Sequence, residues 1–166
     1  MDKVAIREAI DNLELLNIKI QNSQLEVSDS IEGVTPNNMS QQSMLHIEGQ
    51  ILESVIEVSD SHKSVDMLQV KITFGVRYIL ENRSNSPQEE EKDAGSTIDK
   101  EEMAKIEATY LLEYAIKNDI KSEAIQEFCE FNAVHNCWSF WREHVFSTCQ
   151  KAQIPIFSIP FFKSNK

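Results

Sequence analysis

Two long alternations and one helical stripe organise the chain. Between Met67 and Leu80, the positions Leu68, Val70, Ile72, Phe74, Val76, Tyr78 and Leu80 share one parity. Gln69, Lys71, Thr73, Arg77 and Glu81 hold the other. From Met103 to Ile116 the pattern returns, with Ile106, Ala108, Tyr110, Leu112, Tyr114 and Ile116 set against Lys105, Glu107, Thr109 and Glu113. A period of two sustained this long excludes a helix and predicts strands with one buried face. Leu13 to Val27 predicts another strand, with a fault inside it. Leu16, Ile18 and Ile20 are even, while Leu25 and Val27 are odd, so a bulge or kink is expected between Gln21 and Gln24. Ser43 to Val58 predicts a less regular strand with Gly49 as a bulge, and residues 1–12 a short helical or frayed lead-in.

Ser122 to Ala152 changes period. Ala124, Phe128, Phe131, Val134, Trp138, Trp141, Val145 and Cys149 recur at steps of three and four, the stripe of an amphipathic helix. Ser122 is a candidate N-cap, and Glu123 and Glu127 suit the positive end of the dipole. Pro155 forbids much continuation. Asn132 and Asn136 are poor mid-helix residues and mark a place where the helix could divide. Phe140 and Phe146 fall off the stripe. One stripe buries a helix on one side, so the extra aromatics suggest a second surface, such as another subunit. The plain alternative for both tryptophans is core packing.

The connections are polar. Residues 28–42 carry Gly33, Pro36, Asn37 and Asn38 and read as a loop; 59–64 read as a turn. Residues 83–100 are acidic, lack large hydrophobes except Ile98, and predict a long mobile hairpin loop. Glu89, Glu90 and Glu91 within it are either a docking patch or a solvated run. Four alternating strands without crossover helices, followed by one helix, predict an α+β fold. Its antiparallel sheet is covered on one face by the long helix. The tail from Gln153 is apolar and punctuated by Pro155 and Pro160, which keep it extended. It packs over the helix or sheet, or it walls a groove with Phe157, Phe161 and Phe162.

Composition narrows the function. A chain of 166 residues suits a single domain over 1–166, and its formal net charge of −11 disfavours nucleic acid. No apolar run reaches membrane length, and MDKVAIREAIDN lacks the apolar core and cleavage site of a secretory signal, so the expected place is the cytoplasm. Cys129, Cys137 and Cys149 are odd in number and lack paired spacing, which fits buried thiols better than a metal site, even with His135 nearby. Phosphate-cradling glycine motifs and the metalloprotease motif are missing, and His46, His62, His135 and His144 are scattered. Neither an enzyme nor a cofactor is expected.

Several stretches resemble the SecB family of export chaperones. Phe140-Trp141-Arg142-Glu143, a helical stretch and then Ile154-Pro155 are similar to that family's aromatic-Arg-Glu helix and following proline. Ile106-Glu107-Ala108-Thr109-Tyr110-Leu111-Leu112 stands where the family has its fourth strand, and 18–27 where it has a kinked first strand. The resemblance covers roughly residues 13–163. It implies a holdase that binds unfolded or aggregation-prone polypeptide in apolar grooves without nucleotide. It also implies a homotetramer built as a dimer of dimers and, for export members, the translocase motor as a partner. The chain departs in having no final C-terminal helix, no glycine pair in its fourth strand and a longer acidic loop. Those departures favour an alternative, an adaptor or chaperone dedicated to one partner such as an antitoxin. The candidate client-binding residues are Phe74, Tyr78, Tyr110, Tyr114, Trp138, Trp141, Phe146, Phe157 and Phe161. Trp138, Phe140 and Val145 are the candidate oligomer contacts.

Overall fold

The computed structural model describes residues 2–31, 39–58, 61–82, 99–156 and 159–162, without the side chains of 53–58, 61–65, 81, 82 and 99. Helix α1 (Lys3–Asn12) precedes strands β1 (Leu13–Val27), β2 (Met39–Val58), β3 (Ser61–Asn82) and β4 (Asp99–Ile116). Helix α2 (Ser122–Phe128), a π turn (Cys129–Ala133) and α3 (Val134–Ala152) then form one continuous helical run. The strands make one antiparallel sheet in the order β1-β4-β3-β2. This is the expected α+β arrangement. The acidic stretch 83–98 and residues 59 and 60 lie outside the described residues.

The alternation on β3 and β4 reads directly as burial. Leu68, Val70, Ile72, Phe74, Val76 and Tyr78 are buried, and so are Ile106, Ala108, Tyr110, Leu112 and Tyr114 opposite them. These rows form the core beneath the helix. The other face pairs Lys19 with Glu113 at 3.2 Å and Lys105 with Glu107 at 2.8 Å, and joins Thr73 Oγ1 to Thr109 Oγ1 at 3.0 Å.

The fault in β1 is two bulges, at Leu16 and Gln21, and each returns the apolar residues to one side. Leu13, Leu15, Ile18, Ile20, Leu25 and Val27 stand opposite Ile116, Tyr114, Leu112, Tyr110, Ile106 and Ala104. They therefore share the helix side of the sheet despite their mixed parity. Four expectations about the strands need correction. Strand β2 begins at Met39, not Ser43, because its hairpin with β3 pairs without a break from Met39↔Leu80 to Val58↔Ser61. That same ladder takes in 61–66 and gives Gly49 an ordinary partner, Val70, so Gly49 is not a bulge. A Cβ on Gly49 would lie 3.2 Å from Cys129 Sγ; glycine permits the close approach of the helix. Strand β4 starts at Asp99, inside the stretch expected to be loop.

The helical run does not divide at the asparagines. Its buried residues step from Phe128 and Cys129 to Ala133 and Val134, five positions, and then to Cys137, Trp141, Val145 and Cys149 at steps of four. A π turn supplies the step of five. Cys129, Ala133 and Cys137 therefore face the core, while Phe131 and Trp138 are only half-buried. Lys121, not Ser122, is the N-cap residue, and it makes no side-chain cap bond. Helix α1 supplies a partner instead, as Glu8 Oε1 accepts from the Lys121 N–H at 3.3 Å. Asp2 Oδ1 caps α1 itself, accepting from Val4 N at 2.9 Å. The run closes at Gln153, whose φ of 56° is left-handed and whose N–H bonds back to Cys149 and Gln150. The described tail beyond it forms no helix.

Candidate functional site

The aromatic residues separate into buried and accessible sets. Trp141 stacks on Phe74 with centroids 5.5 Å apart, and Tyr110 meets Phe74 edge-on at 5.9 Å. Phe128 meets Tyr114 edge-on at 5.1 Å. Asn136 Nδ2 donates to the Tyr114 hydroxyl at 3.1 Å. Phe74, Tyr78, Tyr110, Tyr114 and Trp141 are thus the cement between helix and sheet, and in the folded protomer they present no surface to a client. Val145 is likewise fully buried and offers no outer contact. The reason is geometric: alternation reveals which face is apolar, and the stripe of the same chain's helix lands on that face.

The accessible members are Phe140, Phe146 and Phe161, at 49%, 48% and 74% exposure. Trp138 is half-buried; its ring meets Phe74 edge-on at 5.6 Å and Phe162 at 5.4 Å. Its indole Nε1 donates to the Pro160 carbonyl at 2.9 Å. One turn later Arg142 Nε donates to the Ile159 carbonyl at 3.1 Å, and the guanidinium lies 4.5 Å over the Phe161 ring. The tail therefore runs along α3, held by side-chain donors and by buried Ile154 and Ile159. Phe157 lies outside the described residues.

A larger apolar surface lies on the edge strands. Leu15, Leu16, Ile20, Leu25 and Val27 on β1 are exposed, as are Met44, Leu45, Ile51 and Leu52 on β2. Except for the bulged Leu16, the β1 residues point to the helix side. So do Leu45, opposite Phe74, and Ile51, opposite Leu68. Among the described residues neither strand has a second neighbour within the sheet, so each leaves a row of backbone donors and acceptors unpaired by those residues. The sequence carried a signal for this surface: a strand whose apolar residues return to one face after a bulge has been kept apolar on purpose. Strand order, which decides that β1 and β2 are the edges, was not legible.

His144 links the helix to the β1 edge. Its Nε2 lies 2.9 Å from Ser23 Oγ and its ring packs on Trp141. Burial lowers its pKa, against a smaller upward pull from Glu143, so the ring is neutral at pH 7. A groove beside β2, of about 420 Å³, is lined by Ile47, Ile51, Leu68, Ile125 and Cys129 among others. The three cysteines are buried. Burial pushes Cys129 up to about 11 and Cys137 up to about 12, so both stay thiols at neutral pH. His135 is exposed while Cys137 is buried. Among the described residues no three His, Cys, Asp or Glu side chains come together as metal ligands, and no helix is long and apolar enough to cross a membrane.

No family model matches the sequence, and no curated protein matches it. Among solved structures, the chain is similar to the SecB-like chaperone Rv1957 of Mycobacterium tuberculosis, determined in complex with a ChAD peptide from the Rv1956 HigA1 antitoxin. The match covers 99% of this chain and 100% of that one, with a TM-score of 0.64 and 11% identity. The fold is thus SecB-like, as the sequence resemblance implies.

Proposed function

We propose that this protein is an ATP-independent holdase that binds extended, apolar segments of unfolded polypeptide. The observation that carries the reading is the row Leu15, Ile20, Leu25 and Val27, exposed along an open sheet edge on the side where the helix lies. A soluble acidic chain has little reason to keep such a row unless something covers it. An extended client can add main-chain hydrogen bonds to the β1 edge while alternate side chains bury against the row. Burial contributes about 25 cal/mol per Å², offset in part by ordering of the client. The SecB-like fold supports the reading, because the neighbour with that fold holds a peptide of another protein.

That neighbour's bound peptide also favours a narrower form, in which the client is one dedicated partner such as an antitoxin. Polypeptides recovered with the tagged protein from its own cells separate the two: many unrelated chains support the general holdase, and a single partner the dedicated one. The translocase motor belongs to the general form. In either form we place the chain in the cytoplasm as a single chaperone domain. We further propose a dimer of dimers with α3 at its centre, where exposed Phe140 and half-buried Trp138 meet a second copy. Phe140→Asp then shifts the light-scattering mass downward, since a buried unpaired charge costs several kcal/mol; an unchanged mass refutes that interface.

The test of the main reading is suppression of aggregation of a chemically denatured protein on dilution, at stoichiometric chaperone and without nucleotide. Wild type should suppress it. The double variant Ile20→Glu, Leu25→Glu should not, while keeping its melting temperature, because both side chains are exposed. No suppression by wild type refutes the holdase.

A further inference from the structure

A second groove lies away from the edge strands, between α1, the π turn and the end of the tail. Its volume is about 670 Å³, and Ile10, Phe131 and Phe162 supply apolar wall. Lys3 and Arg7, one turn apart on α1, stand at its border with Asp11 further along. We infer that this groove binds a short acidic, apolar segment of a partner polypeptide. The inference rests on the reading of the protein as a polypeptide binder and adds the chemistry of what one site accepts.

Charge is the first argument. The chain carries 27 acidic residues against 16 lysines and arginines, so most cations have a carboxylate within reach. Lys19, Lys71, Arg77, Lys105, Lys117 and Lys121 each have a carboxylate partner. Among the described residues, Lys3, Arg7, Arg142 and Lys151 have no carboxylate within 4.0 Å, and of these only Lys3 and Arg7 stand together on the wall of an apolar groove. The second argument is the helix dipole. Lys3 stands in the first turn of α1 and Asp11 in the last, the reverse of what the dipole favours. The stability of α1 therefore does not explain these charges; a ligand with carboxylates near Lys3 and Arg7 does. The net charge of −11 attracts basic chains at long range, but at physiological salt that attraction is screened beyond about 8 Å. Contact with the groove is decided locally.

The tail shows what kind of ligand fits. Residues 159–162 lie extended along α3, and Phe162 forms one wall of the groove. A polypeptide with an apolar side chain between Ile10, Phe131 and Phe162, and a carboxylate one turn of α1 away, continues that line.

Three fluorescent peptides of about ten residues, sharing their apolar residues and carrying two aspartates, two serines or two lysines, test the inference by anisotropy at physiological salt. Wild type should bind the acidic peptide about tenfold more tightly than the basic one, the worth of two short charge pairs. The variant Lys3→Glu, Arg7→Glu should invert the order, and Lys151→Glu, on an exposed cation away from the groove, should not. Lys3→Glu places an acid where the α1 dipole favours one, so an unfolded α1 does not account for the change. Equal affinities, a preference for the basic peptide, or an acidic preference that survives the double change overturns the inference. A change in light-scattering mass without a change in peptide preference assigns the groove to a second copy and also overturns it. Aggregation suppression measured alongside keeps the readings apart: suppression without acidic preference refutes this groove and leaves the holdase standing.

Discussion

Trp141→Ala and Phe146→Ala should behave in opposite ways, because one ring is cement and the other is surface. Trp141 is 2% exposed and stacks on Phe74 at 5.5 Å with an interplanar angle of 13°. A buried tryptophan covers roughly 150–250 Å², which at about 25 cal/mol per Å² is worth about 4–6 kcal/mol as an upper bound. Truncations of this kind in cores cost about 3–5 kcal/mol. Domains of this size unfold at about 5–15 kcal/mol, so the loss is a large share of the total. At about 2–4 °C per kcal/mol the melting temperature should fall by roughly 6–20 °C. Phe146 is 48% exposed, and its removal should change protomer stability by about 0.5 kcal/mol or less. The assay is thermal melting at fixed protomer concentration, paired with anisotropy of a labelled unfolded client. Phe146→Ala should weaken client binding or assembly and leave the melt unchanged. If Trp141→Ala keeps the wild-type melt while client binding falls, the helix lifts in solution and Trp141 is a groove residue after all.

Asn136→Ala strands the Tyr114 hydroxyl in the core and should cost about 1–3 kcal/mol in urea unfolding. Adding Tyr114→Phe should recover part of that, and strict additivity of the two changes would show that the 3.1 Å bond carries nothing. Burial and, less strongly, Lys151 hold the folded pKa of His144 below its ordinary 6.5. Between the folded value and 6.5 the unfolded chain binds more protons, so the contribution of neutral His144 is present above 6.5 and is lost as pH falls through that window. His144→Gln should flatten the pH slope of the urea midpoint there; an unchanged slope places the titration elsewhere. Truncation after Gln153 removes buried Ile154 and Ile159, worth about 3–6 kcal/mol together, and should lower the melting temperature. An intact melt with weakened client binding would make the tail a groove wall.

How far the fold could be read from the chain depended on what covers each strand. Strands β3 and β4 are central and lie under the helix, so the apolar rows from Leu68 to Tyr78 and from Ile106 to Tyr114 are buried as the alternation predicts, while Ile79, Met103 and Leu111 are buried off the pattern. Strands β1 and β2 are edges, where even the inward row stays largely exposed and selection for a strict pattern is relaxed. In β1 the phase change has a physical cause, the bulge at Gln21; the second bulge, at Leu16, is hidden in a run of leucines. The ends of β2 and β3 are illegible for another reason. Residues 39–42 and 61–66 pair in the ladder while reading as polar, and backbone pairing leaves no mark on side-chain polarity.

The candidate site was legible as a set of residue types but not as a surface. Aromatics at alternate positions of two strands and a stripe on one helix are complementary within a single chain, and they cover each other. The rings left over, Phe140 and Phe146, are the ones off the stripe, and both are exposed. Phe131 shows the limit most clearly. At helical spacing it belongs to the stripe. The π turn at Cys129–Ala133 adds one residue, so Cys129 and Ala133 take the sheet-facing places. Phe131 is thereby turned towards α1, where it meets Lys3, Arg7 and Ile10 across a groove. A helix spaced regularly throughout would have buried Phe131 on the sheet. The local underwinding that lets Ala124 and Phe128 share the core with Trp141 is therefore the same feature that gives the groove its aromatic wall.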